Sequence, residues 1–142
     1  MNNVSQKQEK IYFGLDISQK TIEIFALKGE KGVSFGKIPN NQESLTEFFA
    51  QIPAKPETIT VALETGTHSA WISRLLESRG YEVIVAHARD LAFIYKGDKK
   101  SDRIDAEKLA RMTRADKKLL HPIKVIYKKR QVLRPVFLEP EM

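Results

Sequence analysis

Two aspartates, Asp102 and Asp105, stand three residues apart at the start of a helical pattern, directly behind Lys99 and Lys100. Side chains at that spacing share one face of a helix. Two acids on one face, in a basic setting, suit a divalent cation better than a plain solvated surface, because crowded carboxylates need a cation to offset their repulsion. Two further carboxylates, Asp16 and Glu64, fall where strands should end, since a central strand does not bury an unpaired charge along its length. The four acids together predict one metal site and a nucleic-acid substrate. Mg²⁺ or Mn²⁺ is the expected ion, a hard cation that takes oxygen ligands and keeps several waters. A pair of such ions can steady both the attacking and the leaving oxygen of a phosphodiester.

Each acid also has a plainer account. Asp102 alone reads as a helix N-cap, and Asp105 in the first turn suits the helix dipole. Asp16 alone ends a strand or binds a turn amide, and Glu64 alone is a loop acid. His68 reads as a helix-start residue, Trp71 as core, and Thr65 and Thr67 as caps of the helix that follows them or as phosphate contacts. The joint placement of the four acids, together with the family likeness of the segments that carry them, favours the metal site.

The charge distribution points the same way. Residues 1–95 hold 10 basic and 11 acidic side chains, whereas residues 96–142 hold 14 and 7, so all of the net +6 lies in the last third. Such asymmetry implies a polyanionic partner. Lys99, Lys100, Arg103, Arg111, Arg114 and Lys118 are the candidate nucleic-acid contacts. At 100° per residue, Asp102, Asp105, Leu109 and Met112 share one side of the predicted helix. Arg103, Arg111, Arg114 and Lys118 share the other, a face that serves equally as a solvated surface.

The elements that must position these residues follow from the rest of the chain. With 142 residues, 42% hydrophobic and 30% charged, it is expected to form one folded unit with a real core. The absence of cysteine excludes disulfides, thiolate nucleophiles and thiolate zinc sites. No apolar run approaches the ~18 residues of a membrane span, and residues 1–10 are polar, without an apolar signal core. The cytoplasm is the expected compartment.

Ile11–Ile17 reads as a buried strand, Thr21–Lys28 as a second and Val33–Ile38 as a third, joined by turns at Ser18–Lys20 and Lys28–Gly32. This is an antiparallel meander with its acid on the first strand. A helix is predicted over Glu43–Gln51, capped by Asn40 or Asn41, with Leu45, Phe48 and Phe49 inward. Thr58–Leu63 is a fourth strand with Glu64 at its end. Ser69–Ser78 is a helix closed by Gly80, and Tyr81–Ala86 a fifth strand. The alternation after the meander implies parallel strands with crossover helices. Ala88–Tyr95 has helical spacing, and a last helix is predicted from about Asp102 to about Lys117. Ile123–Tyr127 fits a short strand, and Lys128-Lys129-Arg130 is a basic run. The expected organisation is a disordered segment 1–10, an α/β domain over 11–120, and a basic segment 121–142 that opens a linker or a further, truncated domain.

The order meander, helix, strand, helix, strand, helix is that of the RNase H-like (RuvC-like) fold, with a mixed five-stranded sheet and helices on its faces. Three segments carry a closer likeness: Tyr12-Phe13-Gly14-Leu15-Asp16-Ile17-Ser18, Ala62-Leu63-Glu64-Thr65-Gly66-Thr67-His68-Ser69-Ala70-Trp71, and Lys100-Ser101-Asp102-Arg103-Ile104-Asp105-Ala106-Glu107-Lys108-Leu109-Ala110-Arg111. They resemble the N-terminal domain of the DEDD transposases of bacterial insertion sequences (insertion-sequence family 110, with the Piv-type DNA invertases). Carried over by position, the resemblance makes Asp16, Glu64, Asp102 and Asp105 the catalytic and metal-binding tetrad. It implies DNA strand cleavage and joining with Mg²⁺ or Mn²⁺, DNA as partner, a guide RNA, a homo-oligomer, and a second domain bearing a serine nucleophile. That domain has no counterpart among these residues, so the chain alone is expected to bind DNA and metal without recombining DNA. The rival readings are a RuvC-like nuclease or resolvase, an actin-like ATPase fragment, for which Thr65-Gly66-Thr67 is a poor phosphate loop, and a non-catalytic nucleic-acid-binding module.

Overall fold

The structure, a computed structural model, describes residues 9–87 and 105–116. Strands β1 (Ile11–Ile17), β2 (Thr21–Lys28), β3 (Lys31–Pro39), β4 (Ile59–Glu64) and β5 (Glu82–Ala86) form one sheet in the order β3-β2-β1-β4-β5. β1–β2 and β2–β3 pair antiparallel, whereas β1–β4 and β4–β5 pair parallel. Helices α1 (Gln42–Ala50), α2 (Ser69–Ser78) and α3 (Ala106–Ala115) complete the described elements, with a 3-10 turn at Pro56–Thr58. A mixed five-stranded sheet of this order, meander first and parallel strands after, is the RNase H-like fold that the sequence predicts.

Strand residues alternate between faces, and both faces are covered. Ile11, Phe13 and Leu15 of β1, Ile22, Ile24 and Ala26 of β2, Ile59, Val61 and Leu63 of β4, and Val83 and Val85 of β5 point to one side. There they meet Leu45 and Phe49 of α1 and Ile72 and Leu76 of α2. The opposite phase places Ala62, Ile84 and Ala86 against Leu109 and Met112 of α3. Strands covered on both faces read as near-continuous apolar runs, which is why β1 and β4 are legible in the sequence.

Local chemistry fixes the ends. The Asn41 side chain caps α1, accepting from the Ser44 amide at 2.7 Å. Gly80, at φ 94°, follows the C-cap Arg79 and stops α2 in a conformation that disfavours other residues. The Ser18 hydroxyl accepts from the Thr21 amide at 3.2 Å, and Asn40 Nδ2 donates to the Ser18 carbonyl at 2.7 Å, so the turn that follows Asp16 is held from two sides.

The observed strands and first two helices match the predicted ones to within two residues at each end. The last helix differs in kind. It begins at Ala106 rather than near Asp102, because Asp105 has extended backbone (φ −79°, ψ 178°) and is itself the N-cap. A single helix running through both aspartates, the geometry invoked for their shared face, is therefore absent. The plainer reading also shifts by a turn, with Asp105 and not Asp102 in the capping position of α3. The readings of residues 1–8, of Ala88–Tyr95 and of the segment 121–142 lie outside the described residues.

Candidate metal and nucleic-acid site

β1 and β4 run parallel with Leu15 opposite Leu63. The next residue on each is an acid, so Asp16, the penultimate residue of β1, and Glu64, the last of β4, lie side by side at the carboxyl ends of adjacent strands. Both share a phase with Gly14 and Ala62, the residues that face α3. On the other flank of β1, Glu23 of β2 stands directly opposite Asp16 in the antiparallel register. Three half-buried carboxylates, Glu23, Asp16 and Glu64, thus lie in a row across three strands on one face.

The N-terminus of α3 comes down on this face beside the row. A Cβ built on Gly14 would sit 2.0 Å from the Ala106 carbonyl oxygen and 2.9 Å from the Ala110 amide nitrogen. Only glycine lets the helix backbone approach β1 so closely. Asp105, one residue before Ala106, accepts from the Lys108 amide at 2.9 Å. It also lines a recess of about 160 Å³ with Glu23, Phe25, Ser34, Ala106 and Glu107. The positive end of the α3 dipole favours carboxylates at that end.

The donor set is all oxygen from carboxylates. A carboxylate has about four acceptor sites, so the cap bond of Asp105 leaves capacity for a cation. Such donors fit Mg²⁺ or Mn²⁺ and not a soft metal. Among the described residues, no group of three or more histidine or acidic side chains is arranged to hold a metal ion. Asp102, the fourth predicted acid, lies outside the described residues, as do Lys99, Lys100, Arg103 and Lys118.

A cleft of about 330 Å³ opens beyond the ends of β1 and β4, lined by Ile17, Ser18, Gln19, Glu64, Thr65, Gly66, Thr67, His68 and Ser69. β1 leads to β2 on one side and β4 leads through α2 to β5 on the other. Open α/β sheets bind ligands at such a switch of direction, outside the carboxyl ends of the strands. Ser69, read as a helix residue, ties the loop to α2: its hydroxyl accepts from the Gly66 amide at 3.2 Å and donates to the Gly66 carbonyl at 2.9 Å. His68 occupies the N-cap position of α2 without a side-chain capping bond. Trp71 Nε1 donates to His68 Nδ1 at 3.0 Å.

Arg111 and Arg114 occupy the exposed side of α3, while Ala106, Leu109, Ala110, Met112 and Thr113 are buried. Each arginine has a structural partner. Arg111 pairs with Glu107 at 2.8 Å and lies 5.8 Å over the Phe25 ring, and Arg114 donates to the Gly29 carbonyl in the β2–β3 turn. These contacts pin the helix to β2.

Sequence reasoning missed Glu23 and Gly14. The signal for Glu23 was present: it falls in opposite phase to Ile22, Ile24 and Ala26, on the face of Asp16. The need for glycine at position 14 shows only once α3 is in place.

None of the described helices is long and apolar enough to cross a membrane. A search of curated proteins finds no match. The family model of the DEDD transposases of insertion-sequence family 110, described as transposase, matches residues 13–136. That match runs from within β1 through α3, with Asp16, Glu64 and Asp105 inside it, and the chain belongs to this transposase family as a DNA transposase domain.

Proposed function

We propose that this domain cleaves and joins DNA phosphodiesters with a divalent cation held by Asp16, Glu64, Asp102 and Asp105. The observation that carries the reading is the side-by-side placement of Asp16 and Glu64 at the ends of parallel strands, on the face where Asp105 caps α3. Each of the three described acids has a distinct support. The Ser18–Thr21 turn and the Asn40 bond hold the end of β1 behind Asp16. The amide of Thr65, next to Glu64, donates to the Ala86 carbonyl at 2.8 Å and fixes the end of β4. The cap bond to Lys108 orients Asp105. When bound, Mg²⁺ or Mn²⁺ supplies Lewis-acid polarisation of the phosphoryl group and lowers the pKa of an attacking hydroxyl or water.

The basic residues complete the reading. Lys99, Lys100 and Arg103 flank Asp102 in sequence and would neutralise phosphates beside the metal. Arg111 and Arg114 would meet the duplex backbone along α3, Lys118 would add a phosphate contact, and the basic segment 121–142 would add charge beyond the catalytic unit 11–120. A guide RNA and a homo-oligomer belong to the same reading through the family resemblance.

Thermal melting tests the metal. A cation that binds the folded state alone stabilises it by mass action, by about 2.7 kcal/mol at a hundredfold excess over Kd. Mg²⁺ or Mn²⁺ at millimolar concentration should raise Tm, and Asp102→Asn with Asp105→Asn should remove that rise while the protein stays folded. No metal-dependent rise in the wild type would refute the site.

A further inference from the structure

His68 lines the same cleft as Glu64, and its ring is tied to Trp71 in a way that fixes its chemistry. Indole Nε1 can only donate. The atom that receives its hydrogen at 3.0 Å, His68 Nδ1, must therefore be an unprotonated acceptor. The proton of the neutral imidazole is then on Nε2. The two rings stand edge to face, at 89° with centroids 6.2 Å apart. Trp71 packs against the main core cluster and sits in the first turn of α2, so the device that sets the tautomer is anchored to the fold.

The surroundings say what such a donor meets. The His68 side chain makes no capping bond to α2. The loop that carries it is held rigid by the Ser69–Gly66 bonds, and the other wall of the cleft is the pinned turn after β1. Among the described residues the polar lining besides His68 is hydroxyls, amides and one carboxylate, Glu64, with Ile17 as the apolar side and no lysine or arginine. A neutral N–H donates to a negatively charged acceptor without adding a full positive charge to the cleft.

We infer that His68 is a substrate-contacting residue, a neutral Nε2–H donor to a DNA phosphate oxygen in the cleft next to Glu64, with Trp71 as the positioning residue that sets its tautomer. The inference rests on the reading that this domain binds DNA at the carboxyl ends of β1 and β4. It separates His68 from the lysines and arginines in a measurable way. A cation releases counterions from DNA and adds to the salt dependence of binding, about 0.9 in the slope of log K against log salt per phosphate neutralised. A neutral donor adds affinity and leaves the slope unchanged.

The experiment uses the full chain at one pH near 7.5. The ¹⁵N resonances of the imidazole rings, three histidines in all, are assigned with His68→Gln. Binding of a mixed-sequence duplex DNA is measured over a range of salt for wild type, His68→Ala, His68→Gln and Trp71→Phe. The wild-type ring should show a protonated Nε2 and a bare Nδ1, with the Nε2 signal moving on addition of DNA. His68→Ala should weaken binding roughly tenfold, the scale of one hydrogen bond to a charged group, at unchanged salt slope. His68→Gln, which keeps an N–H donor, should recover part of the loss. Trp71→Phe should weaken binding less than His68→Ala and mix the tautomers.

A wild-type chain that shows no salt-dependent DNA binding would overturn the underlying reading and this inference with it. Wild-type binding that His68→Ala leaves unchanged, a slope that falls by about 0.9 in that variant, or a wild-type ring protonated at Nδ1 would overturn the inference alone. The last observation is read from the wild-type chain, with the conservative His68→Gln variant needed only to assign the ring.

Discussion

Replacing Gly14 by alanine adds one methyl group at the point where α3 meets β1. The new Cβ would lie 2.0 Å from the Ala106 oxygen, 2.9 Å from the Ala110 nitrogen and 3.0 Å from the Ala106 carbon. All three are backbone atoms, so no side-chain rotation relieves the clash. Real Cβ atoms do not approach within 3.0 Å, so the helix must lift from β1 by about 1 Å or more. Forced overpacking costs about 1–3 kcal/mol, and the rigid neighbours place this case at the upper end. Lifting α3 also opens a gap over Leu109, which is fully buried. A gap of about 1 Å forfeits up to roughly half of each dispersion well. A total near 3 kcal/mol corresponds to a fall in Tm of about 10 °C for a domain of this size. The functional loss should be larger than the stability loss. Metal–ligand distances tolerate about 0.2 Å, and a 1 Å misplacement at a reacting centre costs about 10²-fold. Asp105 moves with α3, whereas Asp16 and Glu64 stay with the sheet. The assay is a pair of melts, with and without Mn²⁺. Gly14→Ala should melt lower in both and gain little from the ion. A variant that melts within about 1 °C of the wild type would refute the close-approach argument, since a change of 1 kcal/mol already moves Tm by several degrees.

Asp105 allows capping and ligation to be separated. Asn caps about as well as Asp, while Ala costs about 1 kcal/mol, so Asp105→Asn should keep the wild-type Tm without metal and lose the metal-induced rise, whereas Asp105→Ala should lose both. A metal-induced rise that survives in Asp105→Asn would remove Asp105 from the ligand set. Charge reversal at Arg111→Glu and Arg114→Glu of α3 together with Lys118→Glu should weaken DNA binding and flatten its salt dependence by up to about 0.9 for each phosphate no longer neutralised. The ion pair of Arg111 is half-exposed, so the stability cost there should stay below about 1 kcal/mol. Binding unchanged by the triple reversal would show that Arg111 and Arg114 serve only to hold α3.

The two faces of the sheet were legible in the chain because strand alternation is a local signal. Ile11, Phe13 and Leu15 repeat at the pleat period, and so do Ile59, Val61 and Leu63. Asp16 and Glu64 stood out because each breaks such a run at its end. The helix α2 was legible from Trp71, Ile72, Leu75 and Leu76 and from Gly80, whose positive φ is a local requirement. The opposite faces of α3 followed from helical period alone, with Leu109 and Met112 inward and Arg111 and Arg114 outward.

What the chain could not show is which residues meet across it. Asp16 and Glu64 are 48 positions apart, and their adjacency depends on the β1–β4 register, set by packing of both strands against α1 and α2. Glu23 joins the row only through its pairing with Asp16. Two aspartates in the third segment were equally able to cap a helix, since capping is a property of the residue type. Tertiary packing made the choice for α3. The helix must lay Ala106 over Gly14, where the missing Cβ leaves room for its backbone, and that approach places the N-cap at Asp105.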